Sequence, residues 1–193
     1  MFKNFKRLIF SNVLVDASKT KRVTYVAVLS ALLVVCNMLF EFKFADVQFS
    51  LTIFFSAFTG AIIGPLFGFV AAFLGDLVGF LYNSGGFPYM PWIGLAMGMI
   101  ALISGFIINA PIFKFRGGKY IKIAIISLST FLICTIGINT TAFWILYAKG
   151  VPYFTYTATR LFVNGQIYNS LLNYALLFGA YPLFDKVNKA INF

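Results

Sequence analysis

Arg160 opens the last long apolar stretch of the chain, and Asn164 and Tyr168 follow it at i+4 and i+8. On an α-helix that spacing puts a cation, an amide and a phenol on one face. Asn139, Thr140 and Trp144 sit in the preceding apolar stretch, and Tyr89 and Trp92 flank the start of an earlier one. A guanidinium can hold a carboxylate, amides and hydroxyls can read the edge of a heterocycle, and indole or phenol rings can stack on its face. These residue types suit capture of a flat polar molecule. Asp76, within Gly75-Asp76-Leu77-Val78-Gly79, is an ionisable group inside an apolar stretch, where it is costly unless partnered. Its partner is either a ligand or a neighbouring helix. For Tyr89, Trp92 and Trp144 the competing role is the aromatic belt that anchors membrane proteins at the interface.

Catalytic machinery is hard to find. The chain has no histidine, and Cys36 and Cys134 lie far apart in apolar stretches, so a His/Cys metal site is excluded and two buried free thiols are expected. Gly117-Gly118-Lys119-Tyr120 lacks the spacing and the hydroxyl of a phosphate loop, so ATP hydrolysis by that route is excluded. No serine-nucleophile motif, no zinc-protease motif and no pair of embedded carboxylates occurs. The expectation is a non-enzyme with no cofactor and no metal.

The elements that must position these side chains follow from composition. Of 193 residues, 61% are hydrophobic and 10% charged, against about 25% charged in soluble domains. The surface is therefore expected to face lipid, in an all-α membrane protein of six transmembrane helices at about residues 23–40, 47–63, 65–82, 91–110, 123–147 and 157–184. Gly64-Pro65 separates the second from the third, and proline suits the first turn of the helix it opens. Asn83-Ser84-Gly85-Gly86-Phe87-Pro88 is a run of turn residues before the fourth. Residues 1–22 form a basic cytoplasmic or interfacial segment, 23–184 the transmembrane domain and 185–193 a tail. No cleavable leader is expected, because the short apolar run 8–15 lacks a cleavage site.

All lysines and arginines except Lys43, Lys149 and Arg160 fall in the tails or in the loops on their side. Both termini are therefore expected in the cytoplasm, and the polar residues above converge near the outer face. The net charge of +10 then reflects topology and headgroup contact, which argues against a nucleic-acid partner. Ala27 and Ala31 in the first span form a small-x-x-x-small pattern that permits close approach of a helix, either within the bundle or on another membrane protein.

Taken together, Ala27-x-x-x-Ala31, Gly64-Pro65-Leu66-Phe67-Gly68, Gly75-Asp76-Leu77-Val78-Gly79, Gly86-Phe87-Pro88, Asn139-Thr140 with Trp144 and Tyr147, and Thr159-Arg160-Leu161 are similar, over nearly the whole chain, to the S components of energy-coupling factor (ECF) transporters. The branch resembled includes folate, hydroxymethylpyrimidine and pyridoxine binders. The resemblance implies a subunit of the bacterial cell membrane that captures a vitamin or precursor, folate-like or a related heterocycle, near the outer face. It also implies partners, one transmembrane coupling protein and two ABC ATPases, with Ala27 and Ala31 on the docking surface and toppling of the loaded subunit toward the cytoplasm. The loop Gly86-Phe87-Pro88-Tyr89-Met90-Pro91-Trp92 departs from the pattern of the folate binders. The rival expectation is a self-contained small-molecule transporter or channel, a class that often carries internal repeats and midplane ions; no clear repeat is seen here.

Overall fold

The protein is described by a computed structural model that covers residues 10–15, 17–39, 41–44, 47–82, 88–111, 118–180, 182–183 and 186. The turn residues 83–87, the basic residues Lys114 and Arg116 and most of both tails lie outside the described residues. The chain runs α1 (Asn12–Val15), α2 (Lys19–Leu39), β1 (Glu41–Phe44), β2 (Val47–Ser50), α3 (Thr52–Ile63), α4 (Pro65–Tyr82) and α5 (Pro91–Asn109). It continues through α6 (Gly118–Thr130), the π-helical segment π1 (Phe131–Thr140), α7 (Thr141–Tyr147), α8 (Tyr153–Ala158), the π-helical segment π2 (Thr159–Val163) and α9 (Gln166–Gly179).

Small residues set the packing. In lipid, helices gain little hydrophobic drive from pairing, so close van der Waals contact between backbones must hold them. Gly60 of α3 lies against the Ala101 backbone of α5, and a Cβ there would overlap the Ala101 carbonyl; a Cβ on Gly68 would come within 2.6 Å of the Gly60 Cα, and one on Gly105 within 2.7 Å of the Pro65 nitrogen. Helices α3, α4 and α5 thus meet with almost no side chain between them. Gly64 takes φ 121°, open to glycine alone, and turns the chain between α3 and α4. Against this corner Ser11 N–H donates to the Ile63 carbonyl at 2.9 Å, which docks α1. Arg22 Nε bonds the Leu14 carbonyl at 2.8 Å and the guanidinium also reaches the Val15 carbonyl, tying α1 to α2.

Three stretches are long and apolar enough to cross a membrane among the described residues: Pro65–Tyr82, Pro91–Asn109 and the continuous Gly118–Tyr147. They match the third, fourth and fifth expected spans. The other expected spans are altered. Helix α2 has 21 residues but begins at Lys19, inside the segment expected to end at residue 22. The span expected from residue 47 starts instead as a strand: Val47–Ser50 pairs antiparallel with Glu41–Phe44, Glu41 opposite Ser50, leaving a helix of 12 residues. Both tetrapeptides carry the apolar/polar alternation of period two that favours strands.

The last expected span is interrupted. Gly165 takes the left-handed conformation, φ 73°, and separates π2 from the 14-residue α9. A helix cannot carry one face through such a residue. Arg160, Asn164 and Tyr168 therefore do not form the continuous stripe their spacing suggested.

The candidate ligand-binding site

The site is built at one end of the bundle. Helices α3 and α5 run side by side in the same direction, since Gly60 meets Ala101 and Asn109 Nδ2 bonds the Ala61 carbonyl at 3.2 Å. The start of α5, with Tyr89 and Trp92, therefore lies at the same end as the β-hairpin. The reversal between α7 and α8 brings a second pair of segments to the site, π1–α7 and α8–π2.

Phe143 is the hub. The Trp92 ring meets it edge to face with centroids 5.7 Å apart, and the Arg160 guanidinium lies over its other side, 4.2 Å from the ring centre. Asn139 precedes Phe143 by four residues and Thr157 precedes Arg160 by three, one turn away in each case. Tyr156 lies beside the Arg160 side chain. On the two residues that touch this ring and on these neighbouring turns, Trp92 Nε1, Arg160 Nε, Asn139 Oδ1 and Thr157 Oγ1 are all buried without a hydrogen-bond partner. An unsatisfied buried donor or acceptor costs about 1–3 kcal/mol, so four together are a large stored demand for polar contacts. Native interiors rarely tolerate that away from a working site.

The two π segments carry Asn139 and Arg160. In a π-helix the backbone bonds reach one residue further than in an α-helix, and such stretches recur at functional sites. Here hydroxyls support the widened ladder: Thr140 Oγ1 donates to the Thr135 carbonyl at 2.8 Å and Thr141 Oγ1 to the Ile136 carbonyl at 3.3 Å. Thr140 is fully buried and used by its own helix.

A second polar pair borders α5. Glycine at position 94 leaves room for the Tyr89 hydroxyl and the Asp76 carboxylate, which a Cβ would approach to 2.7 and 3.1 Å. The hydroxyl lies beside the carboxylate and is buried without a hydrogen-bond partner. Burial first, and then the adjacent Asp76 charge, raises the Tyr89 phenol to about 12. It stays protonated and can donate. Gly75, beside Asp76, serves packing, since a Cβ there would strike the Leu33 side chain of α2.

Of the expected site residues, Trp92 and Arg160 come together on Phe143, Asn139 lies one turn before that ring, and Asp76 meets Tyr89. Trp144 faces another way: its Nε1 donates to the Val151 carbonyl at 2.7 Å and its ring packs edge to face on Tyr153 at 5.4 Å, pinning the α7–α8 turn. Asn164, at the end of π2, is exposed, and so is Tyr168, which lies beyond the Gly165 break. Phe143, Tyr156 and Thr157 were missed, although each lies one helical turn from a residue that was singled out.

Buried serine hydroxyls without partners also occur elsewhere in the bundle, at Ser56, Ser104, Ser127 and Ser170, but the convergence of Trp92 and Arg160 on Phe143 at one end of an apolar bundle defines a membrane-embedded ligand-binding subunit. Comparison with known proteins sharpens this. The family model for "ECF-type riboflavin transporter, S component" matches residues 17–189, so the chain belongs to that family of substrate-binding transport subunits. Among solved structures, the "Crystal structure of FolT bound with folic acid" has the same fold, with a TM-score of 0.64 at 20% identity over 86% of this chain and 94% of that one. No curated protein matches the sequence.

Proposed function

We propose that the chain captures riboflavin at the Phe143 site from outside a bacterial cell and delivers it inward with an ECF coupling protein and two ABC ATPases. The observation that carries the substrate is the set of unpartnered atoms around Phe143. Trp92 Nε1 and Arg160 Nε are donors, Asn139 Oδ1 an acceptor and Thr157 Oγ1 either. An isoalloxazine edge presents two ring carbonyls flanking one N–H, the complement of two donors and one acceptor. Its flat face suits the Trp92 and Phe143 rings. The family description, which names riboflavin, agrees with this chemistry.

A folate-like ligand is the second reading, favoured by the one buried guanidinium at the site and by the folate-bound structure of the same fold. Titration of the purified protein in detergent separates them. Riboflavin fluorescence is expected to be quenched on binding, and a hundredfold excess of folate to leave it quenched. Absence of quenching, with folate bound by calorimetry, would overturn the riboflavin assignment.

The topology proposed is cytoplasmic termini, with the hairpin, residues 83–90 and the α7–α8 turn outside. Ala27 and Ala31 are exposed on α2, a position consistent with docking on the coupling protein. Uptake by proteoliposomes that contain this chain alone would favour the rival, a self-contained transporter.

A further inference from the structure

Helix α9, which contributes no residue to the site, carries a polar pair that the sequence pattern did not single out. Asn169 and Asn173 are both buried, Asn173 completely. Asn169 Oδ1 accepts from Ser50 N–H at 3.0 Å. Asn173 Nδ2 donates to the Ser50 carbonyl at 2.7 Å and to the Asn169 carbonyl at 2.8 Å, and Asn173 Oδ1 accepts from Phe54 N–H at 2.9 Å. The amide orientations are fixed by chemistry: a backbone N–H can only donate and a carbonyl only accept.

Ser50 is the last residue of β2 and Phe54 lies in the first turn of α3. Two side-chain amides thus satisfy both backbone groups of Ser50, as a neighbouring strand would, and one of the orphan N–H groups at the start of α3. The hairpin is joined by this clamp to the chain segment that also carries Arg160, nine residues before Asn169. A two-stranded hairpin is marginal alone, and among the described residues these amide bonds tie its last residue to α9.

We infer that Asn169 and Asn173 are positioning residues that couple the β1–β2 hairpin to the ligand site, so that loosening the clamp frees the hairpin and speeds ligand release. The inference rests on the site reading above for its ligand arm, and on geometry alone for its hairpin arm. Among the described residues Asn169 Oδ1 accepts from Ser50 N–H and, at 3.2 Å, from Asn173 Nδ2, so Asn169→Asp keeps both accepted bonds while Asn169→Leu removes them.

The test is amide hydrogen exchange on the purified full-length chain without ligand, together with riboflavin dissociation by stopped-flow fluorescence. In Asn169→Leu, exchange over residues 41–50 is expected to rise about tenfold, with residues 91–109 unchanged, and the off-rate to rise several-fold at constant on-rate. Asn169→Asp is expected to stay within about twofold of the parent in both. Unchanged hairpin exchange in a folded Asn169→Leu protein overturns the clamp. Faster hairpin exchange with an unchanged off-rate overturns the coupling, and so does loss of protection throughout residues 91–109. A parent protein that binds no riboflavin refutes the substrate assignment, and the exchange arm still decides the clamp.

Discussion

Arg160→Ala is the sharpest test of the site. In the ligand-free protein the guanidinium lies 4.2 Å from the Phe143 ring centre, a contact of about 0.5–2 kcal/mol when desolvated. A hydrogen bond from a charged donor to the ligand contributes about 1.5–3 kcal/mol. A ligand that replaces Phe143 over the guanidinium forfeits the first while gaining the second. From the middle of each range the net loss on truncation is about 1 kcal/mol, or about fivefold in Kd. Arg160→Lys retains the charge without the planar donor fork and is expected between the two. Fluorescence titration in detergent measures all three, with a melting curve on each variant to establish that it is folded. A folded alanine variant that binds within twofold of the parent, or tighter, would refute the role assigned to Arg160 and with it the orientation proposed for the ligand.

Further outcomes are expected elsewhere. Gly60→Ala puts a methyl into the Ala101 carbonyl and should destabilise the bundle by at least about 1–3 kcal/mol, seen as a lower melting temperature in detergent with binding retained below it. Bulky replacements at Ala27 and Ala31, both exposed, should abolish co-purification with the ECF module while leaving the ligand Kd unchanged; normal assembly of such a variant would remove these residues from the docking surface. The Tyr89 phenol is raised from 10.0 to about 12 in the folded protein, so the folded state holds its proton more tightly. The stability it contributes is complete below pH 10 and is lost as pH rises toward 12. Tyr89→Phe should make unfolding less sensitive to pH across that window, and an identical pH profile would refute the upward displacement of the phenol.

Much of the architecture was legible because lipid imposes simple rules. Sustained apolar runs bounded by proline and glycine locate α4, α5 and the long α6–π1–α7 stretch. Pro65 and Pro91 mark their own first turns, where a missing N–H costs nothing. The chemistry at Trp92, Asn139 and Arg160 was also visible, since polar atoms in such surroundings need partners. The alternation in Glu41–Phe44 and Val47–Ser50 could have announced the hairpin, but four residues per strand give a short signal.

By itself the sequence determined that the chain belongs in a membrane, that it lacks a phosphate loop and a histidine-based metal site, and that its polar residues favour capture. Only the tertiary structure decided which of those residues meet. Gly165 leaves the helical region and ends a face that i+4 spacing had seemed to continue, so Tyr168 parts from Arg160. Phe143, apolar and unremarked in an apolar run, becomes the surface shared by Trp92 and Arg160. Asn173 is assigned to Ser50 and Phe54, over a hundred residues away in the chain. Local spacing fixes a side chain's direction only relative to its own helix, and the partner it meets depends on how the helices pack.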